Sequence, residues 1–197
     1  MKNNLRYLFI IFLFNFNIFS NASANEQFNF DVTELEILEN GNKIIGSKKG
    51  IVTTNDGILI EAEKFIFHKL KNILEATGSV KFVDNENNYK IFADEITYFK
   101  NKETVKTKGN SKAIYKKGIT IDGDKFEFNK TLKILEAKDN VVIKDLNNDY
   151  EINTEYIIYY KNEEKIQTIG KTQSFIQSKY DIMSSDLHYL VDIKQLS

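Results

Sequence analysis

Apolar and polar residues alternate with a period of two along most of the chain, and this alternation slips by one residue at regular points. In the segment IEAEKFIF, Ile60 and Ala62 share one parity, whereas Phe65 and Phe67 share the other. Side chains alternate strictly between the two faces of a regular strand. The pattern therefore predicts a β-strand that bends or bulges between the two pairs, so that all four apolar side chains reach one face.

The same segment returns every 30 or 31 residues. It recurs as IFADEITYF from residue 91, IDGDKFEF from residue 121, INTEYIIYY from residue 152 and IMSSDLHYL from residue 182. A second half, an apolar residue followed by a small residue and usually a glycine, comes after each of the first four copies. A repeat of this length, with two apolar runs in each unit, predicts an array of stacked units.

Turn-forming sequences separate the apolar runs. TNDG at 54–57, DNENN at 84–88, YKKG at 115–118 and DLNND at 145–149 divide the units, and shorter polar breaks such as HKLKN at 68–72 fall within them. Each unit is thus expected to be an antiparallel pair of strands. The predicted fold class is all-β, a repeat-built antiparallel β-jellyroll that the aligned slips bend into a V-shaped trough.

Rows of isoleucine, phenylalanine and tyrosine are predicted to line the inside of this trough. The candidate lining residues are Ile60, Phe65, Phe67, Ile91, Ile96, Tyr98, Ile121, Phe126, Phe128, Ile152, Ile157 and Tyr159. Two interpretations of the rows stay open, an apolar groove for a ligand and a closed, dry sandwich core, because both need apolar inward faces. In either case the stack leaves a sheet edge at each end, to which another chain can add a strand.

Acidic residues recur at the slip, as Glu63, Asp94, Asp124 and Glu155. A pair of carboxylates could serve glycoside hydrolysis. Equivalent positions of a repeat, however, form a ladder in which each copy has the same structural role. We therefore interpret these acids as solvated corner residues.

The sequence contains no signature of an enzyme, a metal site or a cofactor site. The two histidines, His68 and His188, are far apart, and there is no cysteine, no G-x-S-x-G motif, no glycine-rich phosphate loop and no H-E-x-x-H motif. The formal net charge of −1 does not favour nucleic acid as a partner. We predict no catalytic activity, no metal, no cofactor and no nucleic-acid partner.

The N-terminus has the order of a secretory signal peptide. Two basic residues, Lys2 and Arg6, precede the apolar run YLFIIFLFNFNIF, which is followed by the small-residue pattern Ala22-Ser23-Ala24. We predict a cleavable signal peptide over residues 1–24 and a single domain over 25–197. Export without cysteine leaves the apolar core and the sheet hydrogen bonds to hold the fold.

The repeat resembles the OstA-like domain family of lipopolysaccharide transport, which includes LptA and the N-terminal periplasmic domain of LptD. The units at 60–82, 91–113 and 121–143 carry I-x-A-[DE]-x-[FI]-x-[FY] or a close variant, followed by a second half similar to L-x-A-x-G-x-V. The resemblance extends over roughly residues 28–190. It implies a β-jellyroll trough that holds the acyl chains of lipid A on the candidate lining residues.

The resemblance also implies a function, partners and a location. The expected function is a periplasmic lipopolysaccharide-binding and transport component that serves outer-membrane assembly. Its expected partners are lipopolysaccharide and other OstA-like jellyroll domains of the LptC, LptA or LptD kind, joined edge to edge, in the periplasm or against the outer membrane. The alternative is an exported structural β-repeat protein with a closed core and no lipid ligand.

Overall fold

The computed structural model describes residues 28–115, 118–177 and 179–191, together with the backbone of 195–196. The predicted signal peptide, residues 1–24, lies outside the described residues. No helix in the part of the chain that the structure describes is long and apolar enough to cross a membrane.

The described residues form one antiparallel sheet of fifteen strands. The strands are β1 Asn29–Leu38, β2 Lys43–Thr53, β3 Ile58–Ala62, β4 Lys64–His68, β5 Ile73–Asp84, β6 Tyr89–Phe99, β7 Thr104–Lys108, β8 Ser111–Tyr115, β9 Ile119–Gly123, β10 Lys125–Asn129, β11 Ile134–Asp145, β12 Tyr150–Tyr160, β13 Lys165–Ile176, β14 Tyr180–Leu190 and β15 Gln195–Leu196. Short 3-10 turns at Glu39–Gly41, Lys69–Lys71, Lys100–Lys102 and Lys161–Glu163 join several of them.

Some of these strands are the two halves of one long, bent strand. β3 and β4 both pair with β5, β7 and β8 both pair with β6, and β9 and β10 both pair with β11. The continuous strands change register at the same level, for example between Thr77 and Val80 and between Lys138 and Val141. The chain is therefore a meander of long strands that all bend at one line, which we call the corner.

Backbone hydrogen bonds continue across the corner. The amide of Asp94 donates to the carbonyl of Gly109 over 2.9 Å, and the amide of Gly109 donates to the carbonyl of Asp124 over 3.0 Å. Left-handed backbone recurs there, and Gly78 has φ +85°. A Cβ at Gly78 would lie 2.6 Å from a carboxylate oxygen of Glu63, so glycine meets both a backbone and a space requirement at this point.

The corner divides the sheet into two facing layers. Layer A contains β3, β8 and β9 together with the halves of the long strands that pair with them. Its hairpin turns include those at 54–57, 85–88 and 146–149. Layer B contains β4, β7 and β10 with the other halves, and the 3-10 turns belong to it. Aromatic rings meet between the layers, with ring centroids 5.9 Å apart for Phe82 and Tyr98 and 4.4 Å apart for Tyr89 and Phe128. We call the side opposite the corner, where the turns of both layers lie, the mouth.

The expected fold class is confirmed. The chain is an all-β, repeat-built antiparallel jellyroll, and the side-chain alternation slips where the repeat predicted. Ile60, Ala62, Phe65 and Phe67 are all buried although they differ in parity, and Glu63 between them is exposed.

The other acids at the corner, Asp94, Asp124 and Glu155, are exposed as well. The side-chain amides of Asn110 and Asn140 donate to the carboxylates of Asp94 and Asp124, respectively, over 2.8 Å.

Replacement of Phe128 by alanine is expected to destabilise the fold strongly. Phe128 is fully buried and packs on Tyr89 across the layers, so its loss leaves a cavity that should cost about 3–5 kcal/mol of unfolding free energy. Leu146→Ala, at an exposed turn, is the matched control and should change the unfolding free energy by less than about 0.5 kcal/mol. Urea unfolding followed by circular dichroism measures both, and equal values would contradict the two-layer core.

Candidate functional site

The structure brings all twelve predicted lining residues into one core. Their relative exposures lie between 0 and 6 %, and they pack against one another and against residues such as Phe28, Phe82 and Tyr89. The rows are therefore contiguous from one end of the sheet to the other, and the facing side chains fill the space between the layers. Their role as lipid contacts stays a prediction, and an acyl chain would have to enter between side chains that now touch.

The inward rows are uncovered at both ends of the sheet. Leu35 and Ile37 occupy the lining positions of β1, and Tyr180 and Ile182 occupy those of β14, yet all four are exposed. A cavity of about 560 Å³ lies at the edge beside Tyr180, and its wall includes outward residues such as Phe175 and Asp181. The repeat does not indicate that the described residues leave these inward positions uncovered.

Tyrosines mark the boundary between the apolar interior and the mouth. The hydroxyl of Tyr98 donates to Glu103 over 2.8 Å. The hydroxyl of Tyr115 donates to Glu164 over 2.9 Å and that of Tyr189 to Asp145 over 2.7 Å, and these two hydrogen bonds join the two layers. A tyrosine ring is apolar and its hydroxyl is polar, so the row creates a gradient from a dry interior to a charged rim.

An ionic cluster joins the two layers at the mouth, and we call it the Lys130 cluster. The ammonium group of Lys130, on layer B, lies 3.0 Å from Asp56 and 3.9 Å from Asp84, both on layer A, and 3.0 Å from Glu103. Lys100 joins the same carboxylates, at 2.8 Å from Asp56 and 2.7 Å from Glu103. The side chain of Lys130 is only 9 % exposed, so its charge depends on these partners.

The electrostatics of the cluster favour its ionised form. Burial raises the pKa of Asp56, but hydrogen bonds from Lys100, Thr54 and Lys130 outweigh this effect and hold the pKa well below its ordinary value of 3.8. The pKa of Glu103 is lowered in the same way, by hydrogen bonds that outweigh its burial. Burial lowers the pKa of Lys130, but its hydrogen bonds to Glu103 and Asp56 outweigh burial and raise it.

A second cation contributes to the closure of the mouth. Lys161, on layer B, donates to the backbone carbonyl of Asn87 on layer A. Its ammonium group also lies 4.4 Å from the ring centroid of Tyr89, within the range of a cation–π contact. Three consecutive regions of the mouth are thus held by polar contacts between the layers, through Lys130, Lys161 and Tyr189.

Sequence reasoning missed the residues of the mouth, although a signal for some of them exists. Asp84 and Asp145 are 61 residues apart, begin the turns DNENN and DLNND, and are both buried. Each accepts hydrogen bonds from its own turn, from Asn87 in the first case and from Asn147 and Asn148 in the second. A repeated Asp-x-x-Asn at the ends of predicted strands could have identified these two carboxylates.

The interior also contains buried hydroxyl groups. Thr154, Thr168 and Thr172 are buried near the corner in the last third of the chain, and a chain of hydrogen bonds of 3.1 Å and 2.8 Å links them. Ser174, close by, is fully buried, and its hydroxyl has no hydrogen-bond partner among the described residues. Buried hydroxyl groups also occur earlier in the lining, at Thr107 and Ser111, and they become more frequent towards β13 and β14.

The histidines do not form a site. His68 lies 3.7 Å from Glu75 at the rim of layer B, and His188 is exposed on β14. Within the described ranges, no three His, Cys, Asp or Glu side chains lie close enough together to hold a metal ion.

Comparison with known proteins identifies the architecture. No family model matches the sequence, and no curated protein matches it. Among solved structures, the chain is similar to LptH of Pseudomonas aeruginosa, described as the LptA-homologous periplasmic component of the conserved lipopolysaccharide transport device. The TM-score is 0.52 at 17 % sequence identity, and the match covers 58 % of this chain and 85 % of LptH. The chain therefore shares the fold of an LptA-type domain.

Replacement of Lys130 by methionine should loosen the mouth at neutral pH. The change leaves Asp56, Asp84 and Glu103 without their most buried cation, and Asp56 and Glu103 are partly solvated, so we expect a loss of about 1–3 kcal/mol of unfolding free energy. Lys102→Met is the matched control, because Lys102 is an exposed turn lysine of the same layer. Equal unfolding free energies for the two variants would show that the cluster does not hold the layers together.

The same cluster predicts a dependence of stability on acid. The folded-state pKa values of Asp56 and Glu103 lie below the ordinary values of 3.8 and 4.5, so their contribution is complete above those values and is lost as the pH falls through the folded-state values. We expect the unfolding free energy to fall from about pH 5 downwards, and to fall less steeply in Lys130→Met. Urea titrations at a series of pH values measure the two slopes, and parallel slopes would contradict this assignment.

Proposed function

We propose that the protein is a periplasmic lipopolysaccharide-binding and transport component that carries the acyl chains of lipid A along its apolar interior towards the outer membrane. The observation that carries this proposal is the interior itself. Its inward rows run the full length of the sheet, mainly apolar with buried hydroxyl groups towards β13, and reach solvent at both ends, at Leu35 and Ile37 on β1 and at Tyr180 and Ile182 on β14. The shared fold with LptH, a periplasmic component of a lipopolysaccharide transport device, supports the same function.

The chemistry of the interior and the mouth fits an amphipathic lipid. Acyl chains need an apolar lining and no hydrogen bonds, which the isoleucine and phenylalanine rows supply. Phosphate and sugar groups need a polar exit, and the tyrosine hydroxyls and lysines of the mouth, such as Lys100 and Lys130, supply one. Lipid entry would separate side chains at the mouth and leave the hydrogen-bonded corner intact.

We propose further that other OstA-like jellyroll domains join this one edge to edge. Within the described residues, β1 has no strand partner on its outer side, and the 180–184 half of β14 has none either. A strand added at either edge would gain backbone hydrogen bonds and would cover the exposed inward residues there. It would also extend the apolar interior into the next domain.

In this proposal residues 1–24 direct export, and the domain of residues 25–197 acts in the periplasm.

One observation favours the second candidate, an exported structural β-repeat protein without a lipid ligand. The twelve lining residues are almost completely buried by one another, as in an ordinary sandwich core. The uncovered apolar residues at the two ends weigh against it, because a structural repeat array needs end units with polar outer faces to stay soluble.

Photo-crosslinking in cells distinguishes the two candidates. A photoreactive phenylalanine analogue at Phe126, which is inward and buried, should yield a lipopolysaccharide adduct after irradiation, whereas the same analogue at the neighbouring outward Glu127 should not. Immunoblotting with an antibody against lipopolysaccharide detects the adduct.

A second pair of sites avoids any disturbance of the core. Tyr180 is inward but 52 % exposed at the open end, and Asp181 beside it points outward. An adduct at Phe126 or Tyr180, and none at Glu127 or Asp181, is the expected result. The absence of an adduct at both inward sites would favour the structural protein.

A further inference from the structure

The rim of layer B is a rigid ridge of hairpin turns. Each turn is hydrogen-bonded to the next, because the amide of Lys100 donates to the carbonyl of Asn72 over 3.0 Å, that of Lys130 to Glu103 over 2.9 Å and that of Lys161 to Lys133 over 3.1 Å. We call this ridge the basic lip and define it by the turns at 69–72, 100–103 and 130–133. Successive turns are two strands apart, which places them roughly 10 Å from one another along a straight line.

Two leucines project from the basic lip into solvent. Leu70 is 81 % exposed and Leu132 is 60 % exposed, and each lies in the middle of a turn. The turn at 100–102 separates them, so they lie on the same ridge roughly 20 Å apart. Large apolar side chains at the tips of hydrogen-bonded turns contribute nothing to the core of this domain. Their position suits insertion into an apolar layer outside the protein.

Lysines with no acidic partner flank these leucines. Lys69, Lys71, Lys102 and Lys133 form no ion pair with any carboxylate of the described residues, in contrast to Lys100 and Lys130, which face the mouth. The basic lip therefore presents a row of uncompensated positive charges around its leucines. Lysine stems can lie along an apolar surface while their ammonium groups reach anionic groups above it.

The rim of layer A differs from the basic lip in its charges. The described turns of layer A carry Asp56, Glu86 and Asp149 together with several asparagines and Lys179, and the carboxylates of Asp84 and Asp145 beside them are buried. Leu146 projects from this rim and is 74 % exposed, so exposure of a leucine alone does not distinguish the two rims. The difference lies in the charges around the leucine, which are lysines without an acidic partner at the basic lip, whereas acids and lysines, such as Asp149 and Lys179, are mixed around Leu146.

From this combination we propose that the basic lip docks on the surface of an anionic phospholipid bilayer. Leu70 and Leu132 enter the interface between head groups and acyl chains, and Lys69, Lys71, Lys102 and Lys133 bind the lipid phosphates. The rim of layer A lies across the mouth from the docked lip and does not enter the bilayer, and the mouth lies beside the membrane surface. The proposal needs no lipopolysaccharide, so it stands or fails independently of the proposed function.

Tryptophan fluorescence can report this contact one position at a time. It contains no tryptophan, so a single Leu70→Trp, Leu132→Trp or Leu146→Trp substitution gives fluorescence from that one position. The protein is purified in the form the cell produces and mixed with vesicles of phosphatidylcholine containing about one-third phosphatidylglycerol. We expect a blue shift of the emission for Leu70→Trp and Leu132→Trp and none for Leu146→Trp. Because the reporter is local, membrane binding by another part of the chain does not imitate this result.

Two further experiments test whether the lysines of the basic lip contribute to binding. About 0.5 M salt, or vesicles of phosphatidylcholine alone, should abolish the shift, since exposed lysines are screened at that ionic strength. Replacement of Lys69, Lys71, Lys102 and Lys133 by glutamine in the Leu70→Trp background should weaken vesicle binding at least about five-fold. No shift at any position, an equal shift at Leu146→Trp, or an unchanged affinity after the lysine replacements would overturn the proposal.

Discussion

Each long strand changes the facing of its side chains once, at the corner, and the two-layer structure depends on that change. A regular strand through Ile60, Ala62, Phe65 and Phe67 would place one apolar pair in solvent. The slip at Glu63 returns both pairs to the interior, and it recurs in register at Asp94, Asp124 and Glu155. Because the amides and carbonyls of neighbouring corners bond to one another, the bend leaves the ladder intact.

The corner and the mouth are held by different kinds of interaction. At the corner the chain itself and its backbone hydrogen bonds join the two layers. At the mouth, the contacts between the layers among the described residues are made by side chains, through Lys130, Lys161 and the hydroxyls of Tyr115 and Tyr189. Side-chain contacts of this kind can break one at a time, whereas the corner would have to lose its ladder. If the layers separate to admit a ligand, they will therefore do so at the mouth, with the corner as the hinge.

The fold could be predicted in detail because its determinants are local and repeated. The parity slip, the turn sequences and the spacing of 30 or 31 residues each lie within a few residues, and every copy confirms the others. The twelve inward residues followed from parity alone. The Lys130 cluster could not be predicted in this way. Asp56, Lys100 and Lys130 come from different repeats, and they meet because the turns of the two layers lie side by side at the mouth. The repeat pattern is also the same in the terminal strands as in the central ones. The sequence therefore does not predict that Leu35 and Ile182 are exposed.

The burial of the lining residues is compatible with both interpretations of the interior, a lipid conduit and a structural repeat protein. A core that is almost completely filled is what a structural repeat requires, and it also keeps a transport domain folded between ligands. The ends and the rims separate the two interpretations. A structural array gains nothing from apolar residues left open on both terminal strands, or from a tyrosine boundary that leads to buried charges such as Lys130 and Asp84. A conduit needs an interior that continues into its neighbours and a polar margin along its side, and these features favour it.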